Sequence, residues 1–168
     1  LFLSTSRVYP IKTIENALFN EDATKFLFKD NQEIKGISSK GISEELSLEG
    51  ARSFYGTTKL SSELFIHEYA AFYGLKAAVT RFGVIAGPRQ MGKTDQGVVT
   101  LWMAKHYWKQ SLKYIGYGGK GKQVRDVLHV DDLVELIDLQ IHNIEKFVGK
   151  VYNVGGGLEN SASLQDMT

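Results

Sequence analysis

The sequence predicts an α/β fold, and three patterns support that assignment. Short apolar runs typical of buried strands alternate with segments whose apolar residues recur every three or four positions, as in amphipathic helices. Polar, glycine-containing stretches separate these segments, and Gly74 marks the end of the longest helical pattern. Apolar residues make up 43% of the 168 positions and charged residues 23%, which is the composition of an ordinary globular domain.

The first predicted elements are a strand, a long polar segment and a helix. Residues 1–9 form the strand, which ends at Pro10. Residues 10–49 are mostly polar, and a connection of that length is uncommon unless it is a functional loop or contains short elements of its own. A helix is predicted from about Glu49 to Tyr73. Its apolar stripe consists of Leu60, Leu64, Phe65, Tyr69 and Phe72.

The second half also alternates between strands and helices. Gly116–Gly121 spells the dinucleotide-binding string G-x-G-x-x-G, but that string requires a helix behind it, and Gln123–Val130 is strand-like. A tight hairpin between two short strands is therefore expected within Tyr114–Val130. The other predicted elements are a strand at Lys76–Phe82, a glycine-rich loop at 83–97, a helix at Val98–Lys109, a helix at Asp131–Ile144 with Asp131 as its N-cap, and a strand at Val151–Val154.

Charge and composition exclude several classes of partner. Twenty Lys and Arg against nineteen Asp and Glu leave a net charge of +1, so there is no electrostatic basis for binding nucleic acid or an anionic membrane. The absence of cysteine excludes disulfides, thiolate nucleophiles and the usual structural zinc sites. The four histidines lack metal-ligand spacing, so no metal is expected. Because no run of 18 apolar residues exists, the prediction is a cytoplasmic protein without a membrane span.

Tyr55 and Lys59 are the central candidates for chemistry. Four residues apart on a helix, the phenol and the ammonium share one face. A neighbouring cation favours the phenolate form, so the pair is suited to general-base catalysis. The spacing alone is weak evidence, because an exposed helix pair without a chemical role has the same pattern.

The end of the first predicted strand carries hydroxyl groups where α/β sheets place their ligands. Ser4 and Thr5 occupy this position. A threonine hydroxyl there can donate a hydrogen bond to a substrate hydroxyl or ketone that also faces the phenol. The alternative is a Ser/Thr turn, in which the hydroxyls bond to their own backbone.

Four motifs follow one another along the chain: Ser4–Tyr9 with Tyr55–Lys59, Thr80–Arg89, Val124–Asp132 and Tyr152–Gly157. In this order they resemble the extended short-chain dehydrogenase/reductase family of nucleotide-sugar epimerases and dehydratases. That resemblance implies the C-terminal part of a Rossmann-like parallel sheet domain in residues 1–83. It implies a mainly nucleotide-sugar-binding α/β region in 84–168, of which 123–154 partly return to the Rossmann domain.

The resemblance also implies NAD as cofactor, a nucleotide sugar as substrate and roles for individual residues. Arg125 is expected to hold the substrate pyrophosphate, because a guanidinium matches phosphate oxygens bidentately. A surface ion pair with Asp126 is the alternative for Arg125. The expected catalytic residues are Thr5, Tyr55 and Lys59, the expected NAD contacts are Ser4, Tyr55, Lys59 and Arg81, and the expected substrate contacts are Arg89, Gln96, Gly97 and Arg125.

Finer features are similar to the CDP-paratose 2-epimerase (CDP-tyvelose 2-epimerase) group, which implies a CDP-sugar and inversion at C2. A dehydratase is disfavoured, because Ser6 and Arg7 stand where dehydratases of the family have Asp-Glu. A nucleotide-sugar reductase or dehydratase of the same family and a non-catalytic dinucleotide-sensing or scaffold protein remain alternatives. The features are Gly121–His129, Asp95–Val99, Gly155–Gly157 with Asn160–Ser161, and the long insert before Tyr55.

The family's glycine-rich NAD loop is not among the 168 residues, so the chain is expected to be part of a longer, homo-oligomeric enzyme. Without that loop, the isolated piece is expected to be inactive and to bind NAD no more tightly than about millimolar. An uncovered edge at Leu1–Ser4 is expected to promote self-association.

Overall fold

Residues 1–93 and 96–168, which the computed structural model describes, form ten strands and five α-helices. The strands are β1 (Phe2–Thr5), β2 (Phe19–Glu21), β3 (Phe26–Phe28), β4 (Ile37–Ser38), β5 (Gly41–Ile42), β6 (Val79–Phe82), β7 (Val84–Ala86), β8 (Val124–His129), β9 (Val151–Val154) and β10 (Ser161–Ser163). The helices are α1 (Ile11–Glu15), α2 (Phe54–Tyr73), α3 (Val98–Tyr107), α4 (Val130–His142) and α5 (Ile144–Phe147).

These elements group into two compact units, and each has its own sheet. The first unit consists of Leu1–Leu18, Phe28–Gly83 and Val134–Val154. The second unit consists of Phe19–Leu27, Val84–Leu133 and Gly155–Thr168.

The sheet of the first unit is parallel, with the strand order β1-β6-β9. Thr5 at the end of β1 is the register partner of Phe82, and Phe82 is the partner of Val154. The carboxyl ends of the three strands therefore meet at one edge, which is where α/β sheets present ligand-binding groups. The predicted α/β class is confirmed, and so is the strand at Val151–Val154. The first strand is shorter than predicted: it ends at Thr5, because Ser6–Val8 form a 3₁₀ turn that Thr5 caps.

The long polar segment after Pro10 contains short elements and closes a small core. Helix α1 and the β4–β5 hairpin lie within it. Its buried residues form one cluster with the end of the first motif, and Leu60 of α2 packs against that cluster. The cluster consists of Val8, Tyr9, Ala17, Ile37 and Leu46.

Helix α2 begins at Phe54 rather than near Glu49, because its N-cap is Ser53. The Ser53 hydroxyl accepts a hydrogen bond from the Gly56 N–H at 3.1 Å. Gly74 closes the helix in the left-handed conformation, with φ +67, as the sequence predicts. The apolar stripe does not form a buried face in this chain: Leu64, Phe65, Tyr69 and Phe72 are exposed. The helical periodicity of a sequence identifies an apolar stripe, but it does not identify the surface that packs against that stripe.

The second unit contains a mixed sheet with the order β10-β8-β7. Strand β7 lies inside the segment that the sequence assigned to a loop. The predicted hairpin at Tyr114–Val130 is wrong, because the positive-φ glycines at 116, 118 and 119 form a 3₁₀ turn and β8 is the strand that follows. No described helix follows Gly121 directly, so the G-x-G-x-x-G string is not a dinucleotide loop.

Helix α4 begins one residue earlier than the sequence predicts, and Asp131 is not its N-cap. The backbone N–H of Asp131 donates to Nδ1 of His129 at 3.2 Å, so the imidazole satisfies a donor of the first turn. None of the helices that the structure describes is both long and apolar enough to cross a membrane.

Candidate active site

The first turn of α2 packs closely onto the turn that follows Thr5. A Cβ on Gly56 would lie 2.0 Å from the backbone oxygen of Arg7, so only glycine permits this approach. The adjacent Tyr55 is 51% exposed, which leaves its phenol accessible to a ligand. The contact therefore brings the backbone beside Tyr55 against the turn at the end of β1.

Lys59, which lies on the same face of α2 as Tyr55, contacts β1. Its Nζ donates to the carbonyl oxygen of Leu3 at 2.8 Å and lies 5.0 Å from the centroid of the Phe2 ring. An ammonium has three N–H donors, so two remain beyond the Leu3 bond. Tyr55 and Lys59 are thus fixed on one stripe of the helix, as their spacing predicts.

Thr5 is buried, with 8% of its surface exposed, and caps the 3₁₀ turn Ser6–Val8. Its Oγ1 accepts a hydrogen bond from the Arg7 N–H at 3.3 Å, which is the bond that the Ser/Thr-turn alternative expects. An accepting hydroxyl keeps its own proton for donation. The Thr5 hydroxyl can therefore cap the turn and still donate a hydrogen bond to a ligand.

Ser4 and Arg81, the other predicted NAD contacts, belong to a buried polar network. The Ser4 hydroxyl donates to Oε1 of Glu63. Arg81 forms an ion pair with Glu63, with 2.7 Å between Nη2 and Oε2, and its Nη1 donates to the Tyr9 hydroxyl at 3.0 Å. Burial lowers the pKa of Arg81, but the bonds to Glu63 and Tyr9 outweigh it and raise that pKa above its ordinary value.

The network continues into β9 and the long insert, through residues that sequence reasoning missed. The Tyr9 hydroxyl donates to Oδ1 of Asn153 at 2.8 Å, and Asn153 donates through Nδ2 to the Ile42 carbonyl at 3.0 Å. Its backbone N–H donates to Glu44 Oε1. Glu63 was also missed, although a signal existed: it continues the four-residue series of Tyr55 and Lys59 along α2.

The second unit contains an open groove of about 920 Å³ with a largely apolar lining. Arg89, at one side of this groove, adopts the left-handed backbone conformation with φ +67, which is uncommon for a residue with a side chain. Other lining residues come from β8, α3 and the turn before β10: Val127, His129, Val99, Met103, Tyr107 and Asn160.

Arg125 lies on the face of β8 that lines this groove, because Val127 and His129 follow it at steps of two. The side chain is exposed, and Nη1 donates to the Val124 carbonyl at 2.8 Å. Gln96 is exposed, and Gly97 precedes α3 with φ +67. Asp95, part of the predicted motif, lies outside the described residues.

Asp126 is the neighbour of Arg125 on the opposite face of β8. Burial raises its pKa, against the opposing effects of its own backbone N–H and the Arg125 charge. A Cβ on Gly155 would lie 1.5 Å from Asp126 Oδ2, so glycine there lets the backbone close over the carboxyl group. The Tyr152–Gly157 motif thus ends on a close backbone contact in this unit.

Comparison with known proteins supports the assignment that the motifs suggest. The family described as "NAD dependent epimerase/dehydratase family" matches residues 1–155. CDP-paratose 2-epimerase of Salmonella typhi is 32% identical over 99% of this chain and 47% of its own length. dTDP-glucose 4,6-dehydratase of Streptomyces griseus is 30% identical over 94% of this chain and 45% of its own length.

A solved structure shares the fold. UDP-glucuronic acid 4-epimerase from Bacillus cereus, crystallised in complex with NAD, superposes with a TM-score of 0.67 at 25% identity, over 98% of this chain and 42% of that one. The chain thus spans about half the length of the curated relatives it matches. Both epimerases and a dehydratase are among these proteins, so similarity alone does not choose the reaction.

The residues of the first unit fit NAD in their donor chemistry. Lys59 has N–H donors beyond its bond to Leu3, which suit the hydroxyls of a ribose. Tyr55, one turn earlier on the helix, is accessible. The dependence on NAD predicted from the sequence is confirmed at the level of the family.

Proposed function

The chain belongs to the NAD dependent epimerase/dehydratase family, and from that premise we propose that the full-length protein is an epimerase of a nucleotide-activated sugar. The observation that carries the proposal is the anchoring of Tyr55 and Lys59 against the end of β1, beside Thr5. The finer proposal is a CDP-sugar, inverted at C2 as between CDP-paratose and CDP-tyvelose. It rests on the Gly121–His129 motif and on the similarity to CDP-paratose 2-epimerase.

In this proposal the first unit carries the proton chemistry. Tyr55 takes the proton of a sugar hydroxyl, and Thr5 donates a hydrogen bond to the reacting oxygen. Lys59, one helical turn from Tyr55, offers its remaining ammonium donors to the hydroxyls of the nicotinamide ribose. Bound NAD would supply the acceptor, and later the donor, for the hydride of the sugar carbon. The keto-sugar must present its other face before Tyr55 returns the proton.

The second unit binds the nucleotide part of the substrate in this proposal. Arg89 is an exposed cation that lines the groove, and Arg125 is an exposed cation on the strand face of Val127 and His129, which line it. A guanidinium matches the oxygens of a pyrophosphate. The apolar lining suits a base or a deoxysugar. Gln96 and Gly97 remain proposed contacts on the strength of the family motif alone.

An experiment with the full-length protein tests the reaction and the substrate together. CDP-paratose, UDP-glucose and dTDP-glucose are each incubated with the protein, and products are followed by NMR while NADH is followed by absorbance. We expect inversion at C2 of the CDP-sugar without net production of NADH. Inversion at C4 of a UDP-hexose would overturn the CDP-sugar assignment. Net consumption of NADH would indicate a reductase, and no turnover of any sugar would favour a non-catalytic protein.

We also propose that the full-length protein is a homo-oligomer. The support is the exposed apolar stripe of α2, in which Phe72 is 76% exposed. Sedimentation analysis of the protein and of Phe72→Glu tests this: the variant should shift toward monomer, and a monomeric parent would contradict the proposal.

A further inference from the structure

A buried ion pair lies beside Ser4, the residue before Thr5. Glu63 on α2 is 1% exposed and Arg81 on β6 is 5% exposed. The guanidinium donates to the carboxylate three times, from Nε at 3.1 and 3.2 Å and from Nη2 at 2.7 Å. Ser4, the residue before Thr5, donates its hydroxyl to the same carboxylate. One carboxylate therefore accepts bonds from two neighbouring strands.

The ion pair and its hydrogen bond to Ser4 connect β1, β6 and α2. Ser4 and Arg81 are register partners in the parallel strands β1 and β6. Glu63 follows Lys59 by one turn on the stripe of α2 that faces β1. Lys59 donates a hydrogen bond to Leu3 and Glu63 accepts one from Ser4, so successive turns of the helix bond to successive residues of the strand.

The bonds of Arg81 direct its charge inward. Its Nη1 donates to the Tyr9 hydroxyl, and its other described bonds go to Glu63. A buried ion pair is weak evidence for stability, since apolar side chains of similar volume often serve as well, but it can fix one arrangement among several. Arg81 is thus placed to act on a ligand through its neighbours.

We infer that Ser4, Glu63 and Arg81 are positioning residues, which hold the Thr5 hydroxyl in register with the Tyr55–Lys59 face of α2. This inference rests on the proposed function, in which Thr5 contacts the reacting oxygen. Misplacing a catalytic group by 1 Å reduces turnover by up to about a hundredfold, so a fixed strand end has a large effect on rate.

The test is Ser4→Ala in the full-length protein, because this variant removes the link to β1 and leaves the ion pair in place. We expect kcat to fall by about tenfold to a hundredfold, while KM and the Kd for NAD stay within about twofold. The matched control is Thr80→Val. Thr80 is the neighbour of Arg81 on the opposite face of β6, is fully buried, and donates to Gln140 Oε1 at 3.3 Å.

A loss of kcat in Ser4→Ala that Thr80→Val does not share supports positioning. Equal losses in both variants would overturn it, because any lost buried hydrogen bond would then suffice. A Kd for NAD that weakens as much as kcat falls would also overturn it, in favour of the direct contact of Ser4 with NAD. Unchanged kcat in Ser4→Ala would show that the link has no role in turnover.

Hydrogen exchange tests the same inference without any substrate. Amide exchange in the peptide 2–9 should accelerate in Ser4→Ala and in Glu63→Gln, but not in Thr80→Val. If the parent protein turns over no sugar, the proposed function fails and this measurement still decides whether the network holds the strand end. Unchanged exchange in both network variants would overturn the inference even in an active enzyme.

Discussion

The predicted site arginines of the two units lie in opposite environments. In the first unit, Arg81 is buried, paired with Glu63 and bonded to Tyr9. In the second unit, Arg89 and Arg125 are exposed, and Arg89 lines the apolar groove. A buried, fully bonded charge fixes its neighbours, whereas an exposed guanidinium keeps donors for a ligand. The proposed function expects this difference, because it assigns the proton chemistry to the first unit and the binding of an anionic substrate to the second.

The largest expected effect breaks the chemistry of the first unit alone. Tyr55→Phe in the full-length protein should lower kcat by about a hundredfold to ten-thousandfold, because it removes the group that moves the proton and keeps the ring. Nucleotide-sugar affinity should stay nearly unchanged. Steady-state kinetics and calorimetric titration measure both. A loss of kcat below about tenfold would refute Tyr55 as the base.

The next effect concerns folding stability in the first unit. Glu63→Ala leaves the Arg81 charge buried without its partner, which should cost about 3–5 kcal/mol of unfolding free energy. Urea denaturation measures this. The control is Lys76→Ala, which removes an ion pair with Glu145 whose side chains are 60% and 69% exposed, and should cost less than about 1 kcal/mol. Similar costs for both variants would remove the distinction between buried and exposed charges.

A smaller effect should appear in substrate binding by the second unit. Arg125→Ala should raise KM for the nucleotide sugar by about tenfold, or about 1.4 kcal/mol, with little change in stability, because an exposed side chain is removed. Binding by the parent should weaken as salt increases. Lys120→Ala, another exposed cation of the same unit, serves as the control and should leave KM unchanged. If Arg125→Ala also leaves KM unchanged, the surface-pair alternative for Arg125 gains support.

The smallest effect is a pH dependence in the second unit. Burial raises the pKa of Asp166, but hydrogen bonds from Thr24, Ser163 and Lys25 outweigh it and lower the pKa from 3.8 to about 2. As pH falls, Asp166 therefore takes up a proton at a higher pH in the unfolded chain than in the folded chain. The contribution of its carboxylate to folding stability is complete above about pH 4 and is lost as pH falls toward 2. Since the group lies near the surface, the loss should stay below about 1 kcal/mol.

Urea midpoints at pH 5, 4, 3 and 2 check this sign. Asp166→Asn should reduce the change of the urea midpoint with pH between pH 4 and 2. An equal change in parent and variant would contradict this prediction.

The sequence by itself determined the elements whose signals are local. Gly74 ends α2 because glycine adopts φ +67 without strain, and the spacing of Tyr55 and Lys59 places both on one face of that helix. The family could be identified from four motifs in order, because each motif is a local sequence pattern that is recognisable without the tertiary structure. The same motifs predict Ser4, Thr5 and Arg81 as candidate site residues.

Tertiary structure alone decided which side of a pattern is buried and what a charge is paired with. Four of the five residues of the α2 apolar stripe are exposed, while Glu63 on the same helix is buried. Its carboxylate is buried because it pairs with Arg81 on β6, 18 residues later in the sequence. The helical period reports that apolar residues share a face but not what covers them. Pairing across strands depends on register, which arises when β1, β6 and α2 pack together.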